Sequence, residues 1–472
     1  MDITKMTGGE TPPNTDRTPA VEYTAQVASP VVNGEAKLTI GENGLLINTT
    51  FDAAELPFTD MTSVSFSDYT VTIGTLDGNF VFSRMGAWTQ PFYGALFDAY
   101  NEAVKKALFI KGLPLVTARA EYRFEEGGKV ITGTAPAFVY VDCVCVLPSD
   151  TGARRIPLCF LTGMKKGDYE LMFEISGDSY TLRKMGYDTD PFTAAVEKQL
   201  RAMREKTLTI VRELDASLTP AQATAITRQM PHGAAALIGQ LNETAPSFFA
   251  RLENKLRDSR AAESYKAFCE LCDPSRIYIG FKKDETPDGS GGIAETPGGP
   301  AGGLTETIGA ILGDSGGAAD TAVDAYMLWF IVPSPDGKSC AVEFAGDKND
   351  AAATFVYSFD CDFPTFARRL NMALEAINFK REVISLTDGE LLKPEYSHYR
   401  MAVQRNAALK LVRASIIGRV IHNGSWRQKL TELWSGAAAK TSPEIKPERF
   451  CTSCGAVNQP GARFCGKCGA AQ

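Results

Sequence analysis

No strongly apolar run in this 472-residue chain approaches the ~18 residues that a helix needs to cross a bilayer; a run such as Tyr326 to Val332 is strand-sized. No membrane span is therefore expected. The first 25 residues are polar with scattered Pro, Gly and Thr and lack the apolar core of a secretory leader, so a cytoplasmic location is the expectation. Basic charge is in deficit. With 49 Lys and Arg against 56 Asp and Glu, the net charge of −7 argues against a general polyanion binder, because phosphate affinity rests on a basic surplus. Only three His are present, and no paired-carboxylate or nucleophile motif stands at usable spacing, so no enzyme activity is expected.

Cysteine is odd in number, at 11, which excludes full disulfide pairing. Seven are scattered through apolar segments. Cys143 and Cys145 fall two apart in the strand-like run Phe138 to Leu147 and read as small buried hydrophobes on one face. Cys269 and Cys272 form a single C-x-x-C at the end of a helical segment, Ala261 to Cys272, and half a metal site is read as helix packing.

The chain repeats itself. Positions 62 to 110 and 162 to 210 share twelve identities without gaps, among them Asp68 with Asp168, Tyr69 with Tyr169, Met85-Gly86 with Met185-Gly186, Thr89 with Thr189, and Pro91-Phe92 with Pro191-Phe192. About three would follow from average residue usage. In the first copy, apolar runs at Leu38 to Ile40 and Leu45 to Ile47 flank Asn43-Gly44, a hairpin signal, and Tyr69, Val71 and Ile73 alternate with period 2. The period then changes to 3.6, with Phe92, Leu96, Tyr100, Val104 and Leu108 on one helical face. Thr89 and Thr189 are placed to accept a backbone N–H as caps, with Pro91 and Pro191 tolerated in the first turn. About seven short antiparallel strands closed by one amphipathic helix resemble the pleckstrin-homology-like architecture.

A third copy is expected over 274–388. Its strands would be Ile277 to Phe281, Tyr326 to Val332, Ala341 to Phe344 and Thr354 to Phe359, with Pro364 opening a helix that carries Phe366, Leu370, Ala373 and Ile377. In the segment 285–320, 11 of 36 residues are Gly, which reads as a long loop. The expected organisation is thus a disordered tail 1–30, repeats at 31–112 and 113–210, a helical connector 211–273 started by Thr219-Pro220, the third repeat, a helical segment 389–436, a linker 437–449 and a terminal module 450–472. The fold class is α+β multidomain: repeated antiparallel meanders or half-barrels, each with a C-terminal helix, joined by helical connectors.

The terminal module carries the readable chemistry. Cys451, Cys454, Cys465 and Cys468 form two C-x-x-C knuckles, each followed by Gly (Gly455, Gly469), and Asn458 to Gly461 turns the chain between them. Four thiolates at this spacing reach one tetrahedral Zn2+, and a closed four-ligand set makes the metal structural, with no position left for substrate. The segment resembles the short zinc ribbons at the ends of many bacterial proteins, whose members make varied protein or nucleic-acid contacts. Four thiolates and Zn2+ sum to about −2 against a surplus of three basic side chains over 440–472, so nucleic-acid readout is not favoured.

Two strings are decoys. Gly313-Asp314-Ser315-Gly316-Gly317 matches the nucleophile surround of trypsin-like proteases but lies in the Gly-rich segment, and the one His before it, His232, stands in Pro-His-Gly. Gly461 to Lys467 fits G-x-x-x-x-G-K, but Cys468 replaces the Ser or Thr that would hold Mg2+. His398 and His422 read as packing groups on helices. The expected function is a zinc-binding cytoplasmic interaction protein with a protein partner; the alternative is a nucleic-acid or transcription-associated factor using Arg449, Arg463 and Lys467. Peripheral contact with anionic lipid is a variant of the first, through Arg154, Arg155, Lys165 and Lys166.

Overall fold

The computed structural model describes residues 22–283, 326–345 and 353–434, apart from positions 127, 151, 260, 378, 380 and 381, together with the strand residues 449–450 and 457–458. The Gly-rich segment 285–320, with Ser315, lies outside the described residues.

The first unit is β1 (Glu22–Ala28), β2 (Gly34–Ile40), β3 (Gly44–Thr49), β4 (Ala53–Pro57), β5 (Ser63–Ser67), β6 (Thr70–Thr75), β7 (Gly78–Ser83) and α1 (Thr89–Ala107). Its sheet runs β4-β3-β2-β1-β7-β6-β5. β2 and β3 form the expected hairpin, with Ile40 opposite Leu45, but neither Asn43 nor Gly44 takes a positive φ; Gly44 instead opens β3 and lets it run close to β4, where a Cβ would lie 2.5 Å from Leu56 O. The stretch 1–30, expected as a tail, holds β1: Tyr23, Ala25 and Val27 point into the core while their neighbours face outward. Small Ala25 makes that alternation faint in sequence.

The second unit is β8 (Val116–Glu126), β9 (Lys129–Val139), β10 (Cys143–Val146), β11 (Arg154–Pro157), β12 (Gly163–Gly167), β13 (Glu170–Ile175), β14 (Asp178–Arg183) and α2 (Thr189–Leu214). Its order, β11-β10-β9-β8-β14-β13-β12, repeats the first with every strand advanced by seven. Phe92 and Phe192 are both fully buried. The threonines act differently from the expectation. Each follows a 3-10 turn, Gly86–Trp88 or Gly186–Asp188, that runs straight into the helix, so the hydroxyl caps no N–H and instead donates to Gly86 O or Gly186 O, at 2.9 Å in both copies.

Four helices follow: α3 (Pro220–Gln229), then β15 (Ala236–Leu237), α4 (Ile238–Thr244), α5 (Pro246–Arg257) and α6 (Ala262–Leu271). Thr219 and Gln222 close a capping box at the start of α3. The remaining elements are β16 (Tyr278–Lys283), β17 (Tyr326–Pro333), β18 (Ser339–Ala345), β19 (Ala353–Ser358), α7 (Phe363–Ala376), α8 (Glu382–Ser385), α9 (Asp388–Leu391), α10 (Ser397–Arg405), α11 (Ala407–Ser415), β20 (Ile416–Ile421) and α12 (Trp426–Trp434). The expected run of four strands and a helix is present. Its sheet, however, is a plain meander, β15-β16-β17-β18-β19-β20, and not the order of the first two units. β20 arises inside the segment expected to be all helical, because Ile416 to Ile421 completes the open edge of β19.

Both faces of this third sheet are buried. Leu328, Phe330 and Val332 pack with α3 to α6 and α12, whereas Trp329 and Ile331 pack with α7, α10 and α11 in a core continuous with that of the first unit. Two-sided burial explains why β17 reads as an unbroken apolar run. Gly280, paired with Trp329 across the sheet, leaves room for its indole: a Cβ there would come within 2.4 Å of the ring. Gly280→Ala is expected to cost roughly 1–3 kcal/mol through overpacking, read as a lower denaturant midpoint with altered Trp fluorescence. An unchanged midpoint would mean the ring moves freely.

Arg405 of α10 is buried and donates to Met61 O at 3.0 Å and to the Tyr100 hydroxyl at 2.6 Å, tying the third unit to the first. The outer strand β5 receives its own cover from the second unit, Val64 N donating to Ser149 O at 2.8 Å.

Candidate functional site

The sequence-designated metal ligands Cys451, Cys454, Cys465 and Cys468 lie outside the described residues, as does the P-loop-like string. Around them the backbone pairs β21 (Arg449–Phe450) with β22 (Val457–Asn458), antiparallel, with Phe450 opposite Val457. These strands bracket positions 451–456, the first of the two knuckles in sequence.

The other cysteines sort by packing. In β10, Cys143 and Cys145 face the core of the first and third units, while Val144 and Val146 face the core of their own unit. Cys269 and Cys272 pack at the end of α6, and burial pushes the Cys272 thiol up to about 11.

The four basic residues proposed as a lipid-facing mouth are each engaged. Arg154 grips Glu126 with two nitrogens at 2.9–3.0 Å, Arg155 holds Asp142 at 2.6 Å, Lys165 meets Glu174 at 2.7 Å and Lys166 meets Asp190 at 2.7 Å. Local acids cancel the patch.

A cluster that the sequence does not signal forms where the second unit, the connector and α7 meet. Cys159 sits in the 3-10 turn Leu158–Phe160 after β11, His232 in the turn Pro231–Gly233, and Glu375 near the end of α7. His232 adopts a left-handed backbone, φ 55°, and Gly233 follows at φ 82°. Only Gly fits there, since a Cβ would lie 1.8 Å from Phe281 O. Asn371 of α7 clamps the next residues, accepting from Ala235 N at 3.0 Å and donating to Ala235 O at 2.9 Å. The imidazole is thereby held with Nδ1 3.2 Å from Glu375 Oε1.

Glu375 is buried, and Lys282 of β16 reaches its other oxygen at 3.3 Å while stacking over Phe379 at 4.5 Å. Burial by itself would raise this carboxyl; the His232 hydrogen bond and the charges of His232, Lys282 and Arg155 outweigh it and hold Glu375 well below the usual carboxylate range. Burial also pushes the Cys159 thiol well up, with the Glu375 charge adding to the effect. Cys159 and His232 line a cavity of about 850 Å3 whose other walls include Leu158, Met203, Tyr278 and Arg368.

A second buried carboxylate, Glu343 of β18, accepts from Ser264 and, at 2.9 Å, from Thr354, and lies 3.4 Å from His422 Nε2. Glu343 stands between Ser264 and His422, so the imidazole does not touch the serine; His422 Nε2 instead meets the Thr354 hydroxyl at 2.9 Å, and that hydroxyl is fully buried and already donates to Glu343, which leaves it no approach to a substrate. His422 follows β20 and stacks on Trp426 at 4.5 Å, a packing role on a strand end and not on the helix expected. His398 lies on α10 against Tyr399.

Residues 450–472 match the zinc-ribbon domain family, which implies zinc binding by this terminal segment. No curated protein matches the chain. No helix among the described residues is long and apolar enough to cross a membrane.

Proposed function

We propose that this chain is a non-enzymatic, cytoplasmic interaction protein whose paired pleckstrin-homology-like repeats contact a partner protein, with a structural zinc ribbon as a second, tethered contact. One observation carries the reading. Tyr69 and Tyr169, at the same turn of the two repeats, both hold a left-handed backbone, φ 54° and 57°, and are 74% and 71% exposed. Both residues end the two-residue loops of the β5–β6 and β12–β13 hairpins, tight turns that take a positive φ, and the turns thereby present a repeated aromatic ring to solvent, a residue type enriched in protein interfaces. Seven strands closed by one helix in each copy support the resemblance, and the ion pairs of Arg154, Arg155, Lys165 and Lys166 count against an anionic-lipid contact through those four residues.

The test uses Tyr69→Asn with Tyr169→Asn, since Asn tolerates the left-handed region. Affinity capture should lose a protein partner while the melting temperature holds or rises. Capture of nucleic acid alone, unaffected by the substitutions, overturns the reading in favour of a nucleic-acid factor using the ribbon.

For the ribbon, Cys451, Cys454, Cys465 and Cys468 hold one Zn2+ per chain, because two C-x-x-C pairs ten residues apart supply four thiolates at tetrahedral reach. Replacing Cys465 and Cys468 together by Ser should remove that zinc on elemental analysis and leave the thermal transition of the rest in place. An unchanged zinc content in the variant would sink this ligand set.

A further inference from the structure

Three side chains far apart in sequence bring a thiol, an imidazole and a carboxylate together: the ligand atoms of Cys159, His232 and Glu375 lie within 4.8 Å of one another. We propose that they form a second metal site, separate from the ribbon, that takes a divalent ion of the zinc type through Cys159 Sγ, a ring nitrogen of His232 and a carboxylate oxygen of Glu375, with the fourth position open to the 850 Å3 cavity.

The donor set selects the metal. Sulfur with nitrogen suits zinc and its neighbours, whereas Mg2+ and Ca2+ require oxygen throughout. Around tetrahedral zinc, bonds of about 2.0–2.3 Å put donors roughly 3.3–3.7 Å apart, so the cluster needs to close by only about an ångström. One edge, His232 to Glu375 at 3.2 Å, is already that short. Two of the three donors are held by rigid parts: the left-handed Pro231–Gly233 turn pressed on Phe281, and α7, which Asn371 ties to the same turn. Pre-organisation of this kind spares the ordering cost of binding.

The neighbouring cations are compatible with an ion. Lys282, the present partner of one Glu375 oxygen, also lies 4.5 Å over the Phe379 ring, a second berth when the carboxylate turns to metal. Arg155 is paired with Asp142, and among the described residues its buried Nε has no hydrogen-bond partner, leaving a donor beside the site. Starting from a neutral His232 imidazole, the form that ligates a metal, uptake of a dication with release of the Cys159 proton adds one net positive charge, since Glu375 and Lys282 balance beforehand. A hydroxide or an anionic group entering from the cavity at the open position restores neutrality.

The experiment counts metal in the full chain after chelation, reloading with Zn2+ or Co2+ and exhaustive dialysis. The Cys465→Ser, Cys468→Ser double variant should retain one ion per chain and, with Co2+, a thiolate charge-transfer band in the near ultraviolet. Adding Cys159→Ala should take the count from one to none and abolish the band. If Cys159→Ala impairs folding, His232→Asn serves instead, because Asn accepts the left-handed backbone. A double variant that holds no metal, or one whose metal persists without Cys159 or His232, overturns the proposal. Failure of the ribbon assignment has a different signature: the wild-type count is then unchanged by the Ser substitutions, while the Cys159 dependence remains.

Discussion

Replacing Glu375 by alanine is expected to destabilise the protein by roughly 3–5 kcal/mol, the range for removing one partner of a buried ion pair. The carboxylate is 5% exposed and faces Lys282 at 3.3 Å and His232 at 3.2 Å, so its loss leaves Lys282 without its partner in a largely buried position. The pH dependence has a definite sign. The folded-state carboxyl is held below its unfolded value of about 4.3, so its contribution is complete above that value and disappears as the pH falls from about 5 toward the lowered folded value. Chemical denaturation of the wild type and Glu375→Ala at pH 7 and at pH 3 checks both statements. The gap between the two proteins should be large at pH 7 and narrower at pH 3. A gap that widens on acidification would show that the carboxyl is not held ionised by its neighbours.

Phe92→Ala and Phe192→Ala are each expected to cost roughly 3–5 kcal/mol, as a fully buried aromatic ring is exchanged for a cavity. Phe92 meets Tyr23 edge-on at 5.1 Å and Phe82 at 5.8 Å, whereas Phe192 belongs to the separate core of the second unit. With no shared partners the two losses should add. Tyr187, fully exposed one turn before α2, provides the control: Tyr187→Ala should change stability by no more than about 0.5 kcal/mol. Equal and large losses at 92 and 192 would show that both copies enter the closing helix in the same way. A small loss at either position would mean that its core closes over the gap.

Local patterns carried much of the architecture into the sequence. The 100-residue offset exposes the duplication because β5 to β7 and the start of α1 each recur 100 positions later in β12 to β14 and α2. The same periodicities mark β17, β18, β19 and α7 at nearly their observed bounds. Where signals were short or the residues small they failed: β1 hides behind Ala25, and β20 is six residues between two helices. The threonine caps were misread for another reason, since a preceding 3-10 turn changes what the hydroxyl can reach, and residue type alone does not reveal that turn.

The sequence by itself determined the zinc-ribbon segment, the two repeats and the face each of their helices buries, because all of these depend on residues within a few turns of one another along the chain. Only the tertiary structure decided the order of the third sheet, the neutralisation of Arg154, Arg155, Lys165 and Lys166, and the meeting of Cys159, His232 and Glu375. His232 and Glu375 are 143 positions apart. Nothing in the order of residues between them encodes a contact that exists only because α7 packs across the end of the second unit and the connector turns left-handed to meet it.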